Sequence, residues 1–263
     1  MFLLNPVTDG VSSPPRQNRI PKIRLASYNI HLGIGRDGQF DLGRVARVIN
    51  ELDADAIALQ EVSLGGKGVH MLDFLSERCG MNAIPGPTLV GAAGEYGNAI
   101  LTRLRTGAIH RWNISVGSRE PRGAIDVHLH YGAMTFRMVA THLGLWPGER
   151  RRQIRLLLDI VRKDNRFPTV LLGDLNEWFL WGRPLRWMHR YFKETPAPAT
   201  FPSGRPLFAL DRIWVDPRSA LQSIAVHGSA TARVASDHLP IVAHFEFDAM
   251  RNDAVPRQMA AAG

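Results

Sequence analysis

Several short stretches of the 263-residue chain place an acid, an amide or a histidine directly after a run of apolar residues. The clearest is 170–178, in which Val-Leu-Leu-Gly leads into Asp174 and Asn176. Such an apolar run predicts a buried strand, and strand alternation would put Asp174 and Asn176 on one face, with Leu175 on the other. A carboxylate and a carboxamide held together at a strand end can orient a water and bind an anionic oxygen. The alternative interpretation is a simple polar cap between strand and loop.

Four other predicted strands end in the same way, which favours the chemical interpretation. The polar residues collected at strand ends are Asn29, Glu61, His142, Asp174, Asn176, Asp211, Asp237 and His238. Oxygen donors dominate this group, and they suit Mg²⁺ or Mn²⁺, with water and phosphate oxygens completing the coordination shell. The group lacks the His/Cys spacing of a zinc site. The chain also has no G-x-S-x-G nucleophile elbow, no P-loop and no dinucleotide-binding glycine fingerprint.

Alternating strands and amphipathic helices must position these residues. Strands are predicted at 22–30, 55–60, 96–101, 125–131, 135–141, 170–174 and 210–215, with a last pair flanking 236–240. The first helix is predicted to follow an N-terminal cap at Asp41, because apolar residues recur at helical spacing from Leu42 to Leu52. Further helices are predicted near 70–78, from Pro147 onward, and within the aromatic-rich segment 178–192.

Composition limits the classes of protein that the chain can be. The net charge of +8 and the pI near 10.3 favour anionic partners, namely nucleic acid, phospholipid headgroups or small phosphates. No apolar run reaches the roughly 18 to 20 residues of a membrane-spanning helix, and the first residues do not resemble a secretory signal. The single cysteine, Cys79, excludes an internal disulfide framework and fits a reducing compartment, so a cytoplasmic location is predicted.

The distribution of prolines and polar residues predicts one folded domain with two tails. Residues 1–21 carry several prolines among small polar residues, so we predict a flexible leader there. Residues 22–248 contain every predicted strand and no linker, so they are predicted to form a single domain. The polar, alanine-rich residues 249–263 are predicted to be a flexible tail.

Seven motifs, taken in chain order, resemble the motif series of the endonuclease/exonuclease/phosphatase, or DNase I-like, superfamily. They are Tyr28-Asn29-Ile30-His31, Leu59-Gln60-Glu61-Val62, Tyr96-Gly97-Asn98-Ala99-Ile100-Leu101, Thr141-His142-Leu143, Gly173-Asp174-Leu175-Asn176, Leu210-Asp211-Arg212-Ile213 and Ser236-Asp237-His238-Leu239-Pro240. The resemblance spans residues 22–247. It implies an α/β fold, a four-layer α/β/β/α sandwich of two mixed sheets flanked by helices. It also implies metal-dependent attack of water on phosphorus.

The resemblance further implies a role for each matching residue. Glu61 would be the principal ligand of Mg²⁺ or Mn²⁺, with Asn29 and Asp237 close to the metal or the phosphate. Asp174 would orient and deprotonate the attacking water. The remaining members would handle the phosphate: Asn176 would hold one of its oxygens, His142 and His238 would donate to its non-bridging oxygens, Asp211 would hold His238, and Glu95 would pair with His142.

Three further residues are assigned to the substrate phosphate. Asn98 belongs to the Tyr96 motif, and Arg119 lies in a Ser-Arg-Glu-Pro stretch that is similar to one in DNase I. Arg122, directly after that stretch, is an equal candidate, since arginine is a natural bidentate partner of phosphate. A surface ion pair is the alternative for either arginine. His31 is expected to point away from Asn29 by strand alternation and to have no catalytic role.

The motifs leave the substrate open. Gln60-Glu61-Val62 departs from the Gln-Glu-Thr-Lys of apurinic repair nucleases, and the segment 200–213 is more like small bacterial metal-dependent hydrolases of the superfamily. The first hypothesis is therefore a phosphoesterase acting on a small or lipid-linked phosphate ester. The second is a DNase I-like nuclease, and the third is a non-catalytic binding protein on the same scaffold. No partner protein is inferred, and a monomer is expected.

Overall fold

The computed structural model describes residues 22–65, 70–91 and 94–247 as two β-sheets with helices on their outer faces. The strands are β1 (Lys22–Asn29), β2 (Ala56–Gly65), β3 (Asn82–Gly91), β4 (Gly94–Thr102), β5 (Arg105–Asn113), β6 (Gly123–Tyr131), β7 (Met134–His142), β8 (Thr169–Asp174), β9 (Asp211–Asp216), β10 (Leu221–Val226) and β11 (Ile241–Glu246). The helices are α1 (Leu42–Leu52), α2 (Met71–Cys79), α3 (Pro147–Lys163), α4 (Arg183–Phe192) and the short α5 (Ala232–Ala235). The predicted leader 1–21 and tail 249–263 lie outside the described residues.

Both sheets are mixed. The six-stranded sheet has the order β10-β11-β1-β2-β4-β3, and within it β1 and β2 are parallel. The five-stranded sheet has the order β5-β6-β7-β8-β9, and within it β7 and β8 are parallel. The other neighbouring strands of both sheets are antiparallel. The predicted α/β/β/α sandwich of two mixed sheets is thus confirmed.

Strand alternation divides the core into three apolar clusters. In β1, Leu25 points into the layer between the two sheets, while its neighbour Ala26 packs outward beneath α1 and α2. A third cluster fills the space between the second sheet and helices α3 and α4. Burial on both faces explains why the central strands read as continuous apolar runs instead of alternating patterns. Among the described residues, no helix is long and apolar enough to cross a membrane.

The predicted elements are present, and the two unpredicted long strands are both at sheet edges. Strand β3 contains Pro85 and Pro87, which edge strands tolerate because one side of the strand needs no ladder hydrogen bonds. Strand β5 is mostly exposed, so its sequence lacks apolar alternation. The helix after Asp41 begins as predicted, with the Asp41 side chain accepting a hydrogen bond from the Arg44 backbone N–H.

A buried ion pair joins the second sheet to the end of α3. The Arg137 guanidinium donates to both oxygens of Asp126, at 2.7 and 2.6 Å, and both side chains are buried. Arg137 also donates to the backbone carbonyls of Ile160, Val161 and Asp164 at the last turn of the helix. The guanidinium therefore neutralises a buried carboxylate and satisfies helix carbonyls that have no partner within the helix.

We expect Asp126→Asn to lower the free energy of unfolding by about 3 kcal/mol or more, because it leaves the Arg137 charge buried without a counter-charge. Denaturant titration would measure the change. The matched control is Asp159→Asn, whose partner Arg162 and whose own carboxylate are mostly exposed. It should change stability by no more than about 0.5 kcal/mol. Equal effects of the two substitutions would contradict the role given to the buried pair.

Candidate active site

Asp174 ends strand β8 at the centre of a buried polar cluster. Parallel pairing with β7 puts His142 opposite Asp174, and antiparallel pairing with β9 puts Asp211 opposite it from the other side. Gly173 lets the strands approach closely here, since a Cβ at this position would lie 1.9 Å from the carbonyl oxygen of Thr141. The strand register alone thus brings three of the predicted residues together.

The other sheet contributes Asn29 and Glu61, which come from the neighbouring parallel strands β1 and β2. The Asn29 side-chain amide donates to Glu61 Oε1 at 2.9 Å and to Asp174 Oδ2 at 3.1 Å. One amide therefore bridges two carboxylates that belong to different sheets. The predicted proximity of Asn29, Glu61 and Asp174 is present in the structure.

Glu61 occupies a distorted point within its strand, not the strand end that the sequence predicted. Strand β2 continues to Gly65, and its register against β4 shifts between Leu59 and Val62. Glu61 itself has φ +57°, an unfavourable conformation for a residue with a side chain. This bulge turns the carboxylate toward Asn29, and backbone strain of this kind is common at functional sites.

The charges around Glu61 fit a divalent cation. Burial raises the pKa of Glu61, the Asn29 hydrogen bond and the nearby His31 oppose that rise, and the negative charges of Asp174 and Asp237 add to it. The carboxylates of Asp174 and Asp237 thus add negative charge at the partly buried Glu61. A hard cation such as Mg²⁺ or Mn²⁺ would relieve this repulsion, and carboxylate oxygens are the ligands that it prefers.

His238 is held in its charged form. Its Nδ1 lies 2.9 Å from Asp211 Oδ2, and its Nε2 lies 3.7 Å from Asp174 Oδ2. Burial disfavours the imidazolium, but the carboxylates of Asp211 and Asp174 outweigh burial and raise the pKa of His238 to about 10. The predicted pairing of Asp211 with His238 is present, and the Thr200 hydroxyl also donates to Asp211 Oδ2.

His142, in contrast, is held in its neutral form. Its Nε2 lies 3.0 Å from the Asn176 amide nitrogen and 3.6 Å from Asp174 Oδ2, whereas its Nδ1 lies 3.3 Å from Arg122 Nη1. Burial lowers the pKa of His142 to about 4; Asp174 opposes this effect, and the positive charges of Arg122 and His238 add to it. His142 is therefore neutral at physiological pH.

The predicted pairing of Glu95 with His142 is contradicted by the geometry. Glu95 lies in β4 with its side chain exposed, opposite Val90 and Gly65 in the neighbouring strands. The position next to His142 Nδ1 is instead occupied by Arg122, whose charge has the opposite sign. The family resemblance implied a carboxylate beside this histidine. The sequence does not reveal that the 119–122 loop folds against it and brings Arg122 there instead.

Asn176 reaches the cluster through a turn, not through strand alternation. Strand β8 ends at Asp174, and Asn176 has φ +50°, a left-handed conformation that asparagine tolerates well. Its backbone N–H donates to Asp174 Oδ1 at 2.9 Å, and its side-chain amide also donates to the Leu143 carbonyl. Leu175 is buried in the third apolar cluster, on the opposite side as predicted.

The three residues assigned to substrate phosphate lie at different depths. Asn98 is buried and donates to the Gly123 carbonyl, which fixes the loop that carries Arg122. Arg122 is buried between Glu120 and His142, and its Nε has no hydrogen-bond partner among the described residues. Arg119 is exposed, with its guanidinium 4.9 Å from the centre of the Trp146 ring. Arg119, Arg122 and Trp146 all line one open cavity of about 630 Å³.

Two features of the site were missed in the sequence. His31 was expected to point away, but a left-handed turn at φ +46° directs its Nδ1 to 3.9 Å from Asp237 Oδ1. Arg150, the first of three consecutive arginines near the start of α3, is buried and bonded to Glu177. A signal for Arg150 was present, since it precedes Ile154 by one helical turn and so shares the apolar stripe of α3.

A second group of possible metal ligands lies in the same cluster. Ligand atoms of Asp174, Asp211 and His238 all lie within 4.8 Å of one another. The Asp211 Oδ2 atom already accepts from Thr200 and His238, and the charged imidazole offers no lone pair to a cation. Asp211 Oδ1, by contrast, is buried without a hydrogen-bond partner among the described residues and keeps a lone pair for a cation.

The chain is similar to several known proteins over most of its length. A protein of Escherichia coli K12, the uncharacterized YbhP, is 28% identical over 250 residues, which cover 87% of this chain and 98% of YbhP. A crystal structure of an endonuclease/exonuclease/phosphatase from Beutenbergia cavernae has a TM-score of 0.70 at 23% identity and covers 86% of this chain and 72% of that one. A mannosyl-6-phosphatase of Bacteroides thetaiotaomicron has a TM-score of 0.68 at 19% identity, covering 86% of this chain and 100% of that one.

The match to a family profile is more extensive than any single motif. The profile described as the Endonuclease/Exonuclease/phosphatase family matches residues 26–238, which include every residue of the buried polar cluster. Members of this family are hydrolases that act on phosphate esters, among them phosphatases, phosphodiesterases and nucleases, and they generally depend on divalent metals. The chain belongs to the endonuclease/exonuclease/phosphatase family.

Proposed function

We propose that the chain hydrolyses a P–O bond of a small or lipid-linked phosphate ester in a reaction that needs Mg²⁺ or Mn²⁺. The observation that carries the proposal is the position of the Asp174 carboxylate, which faces Asn29, His142 and His238 at 3.1 to 3.7 Å. A carboxylate surrounded by amide and imidazole groups can hold a water on one side while the same groups hold a phosphate.

In this mechanism Asp174 orients the attacking water and accepts its proton as the oxygen–phosphorus bond forms in line with the leaving group. The geometry suits this role because the Asn176 backbone N–H and the Asn29 amide hold both carboxylate oxygens in place. Orientation of this kind supplies much of the rate enhancement in phosphoryl transfer, since little covalent chemistry is left for the protein.

Three cationic or amide groups stabilise the charge that builds on the phosphate oxygens. His238 is charged and buried, so it can donate from Nε2 without losing energy to reorganising solvent. Arg122 is the next donor, because its buried Nε has no hydrogen-bond partner among the described residues and an anion that reached it would satisfy it. Asn176 would hold a phosphate oxygen by exchanging its hydrogen bond to His142, since its two side-chain N–H groups are used by His142 Nε2 and the Leu143 carbonyl. His142 is neutral, so one of its ring nitrogens accepts a hydrogen bond, either Nε2 from the Asn176 amide or Nδ1 from the Arg122 guanidinium, and the tautomer decides which of the two it positions.

A divalent cation bound by Glu61, with Asn29 and Asp237 close by, would act as a Lewis acid on the phosphate oxygens. These three residues come from β2, from β1 and from the loop before β11. The cytoplasmic location and the monomeric state stay predictions.

A nuclease is the second candidate function. The exposed Arg119 beside Trp146, at the edge of the open cavity, favours it because arginine and an aromatic ring are common contacts of nucleic-acid backbones and bases. A non-catalytic binding role has no supporting observation of this kind.

A metal-dependent activity screen tests the proposal. The substrates are an aryl phosphodiester, an aryl phosphomonoester, phospholipids, inositol phosphates and plasmid DNA, each with and without EDTA. We expect EDTA-sensitive hydrolysis of a small or lipid phosphate ester with weak dependence on salt. Cleavage of DNA alone, with binding that falls steeply as salt rises, would favour the nuclease. No turnover of any substrate with added Mg²⁺ or Mn²⁺ would contradict both.

Asp174→Asn should lower kcat by about two to four orders of magnitude, because the amide cannot accept the proton of water. The change keeps the size of the side chain, so circular dichroism and Tm are expected to stay close to those of the unchanged protein. The matched control is Asp73→Asn, at an exposed position of α2, and it should retain normal kcat. Near-normal turnover of Asp174→Asn would remove Asp174 from the mechanism.

Glu61→Gln should raise the Mg²⁺ concentration needed for half-maximal activity by about tenfold or more, since a carboxylate binds the hard cation far better than a carboxamide does. Calorimetric titration of Mg²⁺ or Mn²⁺ into the protein would measure the same loss without substrate. Glu77→Gln on α2 is exposed and serves as the control. An unchanged metal requirement in Glu61→Gln would place the metal elsewhere.

A further inference from the structure

Exposed apolar side chains are concentrated in three loops that adjoin the candidate active site. We name this group the apolar rim, and it consists of Leu145, Trp146, Trp178, Phe179, Leu180, Trp181, Leu207 and Phe208. Of the thirteen large apolar side chains that are exposed in the described part of the chain, eight belong to the rim. Single exposed apolar residues are normal on a protein surface, but a concentration of this kind marks an interaction site.

Each loop of the rim is continuous with a strand that carries a site residue. The first follows His142 on β7, the second follows Asp174 on β8, and the third precedes Asp211 on β9. The Trp178 ring packs against Phe208, with 4.9 Å between ring centres, and against Phe201 at 5.7 Å. Phe201 in turn lies 4.9 Å from the His238 ring, so the rim runs into the wall of the site.

A buried ion pair keeps two of the loops in position. Arg150 and Glu177 are both buried, and their side chains meet at 3.2 Å between Nε and Oε2. Arg150 also donates to the Leu145 carbonyl, and Glu177 accepts from the Phe179 backbone N–H. The polar groups of these loops are thus satisfied internally, and the apolar side chains are left facing solvent on a preformed surface.

The charge on these loops has one sign. Within residues 143–153, 177–186 and 201–208, the acidic residues are Glu149 and Glu177, and each is only 4% exposed. The exposed charged residues of the same segments are all arginines, namely Arg152, Arg183, Arg186 and Arg205. Outside these segments, Arg119 places an exposed guanidinium over the Trp146 ring, and its neighbour Glu120 is partly exposed and paired with Arg122.

We propose that the apolar rim and its flanking arginines bind the interface of an anionic phospholipid bilayer, so that the site receives its phosphoester from lipid. Tryptophan rings and leucine side chains gain from entering the boundary between headgroups and acyl chains, and arginines are attracted to anionic headgroups. The inference rests on the proposed function for the nature of the substrate, but the surface itself can be tested without turnover.

The composition of the rim favours a bilayer over nucleic acid. Arginine and tryptophan would suit either partner, because both contact phosphates and stack on bases. Leu145, Leu180 and Leu207 are exposed aliphatic side chains that gain little from a phosphate backbone but gain from hydrocarbon.

The test is sedimentation of the full chain with vesicles in the presence of EDTA. Vesicles of phosphatidylcholine alone are compared with vesicles that also contain phosphatidylglycerol. We expect binding to the mixed vesicles, and a loss of about tenfold or more in the partition coefficient for the double variant Leu180→Ser and Trp181→Ser. The double variant Arg152→Glu and Arg183→Glu should weaken binding to the vesicles that contain phosphatidylglycerol. Its behaviour with phosphatidylcholine vesicles should be the same as that of the unchanged protein. Phe74→Ser, an exposed apolar residue on α2, is the control and should bind normally.

Several outcomes would overturn the inference. They are no sedimentation with either vesicle, an equal loss in Phe74→Ser, or association with plasmid DNA in place of vesicles. Failure of the surface and failure of the proposed function are distinguishable. A protein that hydrolyses a water-soluble aryl phosphodiester but ignores vesicles contradicts the surface alone. A protein that binds vesicles but hydrolyses no phosphate ester contradicts the function alone.

Discussion

The site depends on one side-chain amide that lies between two carboxylates of different sheets. Asn29 donates to Glu61 within its own sheet and to Asp174 across the sandwich. Without such a donor, two buried carboxylates would repel each other, and one of them would take up a proton. The bridge stabilises both carboxylates in their ionised form, and it links the two sheets at the buried centre of the site. The remaining residues of the cluster are arranged around this contact.

The two buried histidines differ in charge because their neighbours differ. His238 faces Asp211 and Asp174 and holds a proton, whereas His142 faces Arg122 and an amide and does not. Burial disfavours the charged form of both histidines and Asp174 favours it in both; the additional carboxylate of Asp211 keeps His238 charged, whereas burial prevails at His142. The site therefore contains one strong fixed donor and one neutral positioning group, an asymmetry that a water-attack mechanism on a bound phosphate can use.

The outer part of the site is built on different physical terms. Around Asp174 most polar groups are buried and hydrogen-bonded, but the adjoining loops expose tryptophan, phenylalanine and leucine to water, which is unfavourable. The buried Arg150–Glu177 ion pair keeps two of those loops in position. An apolar and basic surface beside the candidate active site suits a phosphate ester that is part of a lipid. The phosphate of such a substrate would enter the site while its acyl chains remain in the bilayer.

The amino-acid sequence alone predicts which residues form the strands and helices of the interior, and it predicts most residues of the cluster. Buried strands such as β8 read clearly because their apolar runs end abruptly in polar residues, and the order of seven motifs identified the family. It did not reveal β3 and β5, since edge strands need no apolar alternation. Only the tertiary structure decided that Glu95 is exposed, that Arg122 takes its place beside His142, and that His31 turns toward Asp237. These outcomes depend on loop conformation, on left-handed backbone turns and on contacts between distant segments, none of which leaves a periodic pattern along the chain.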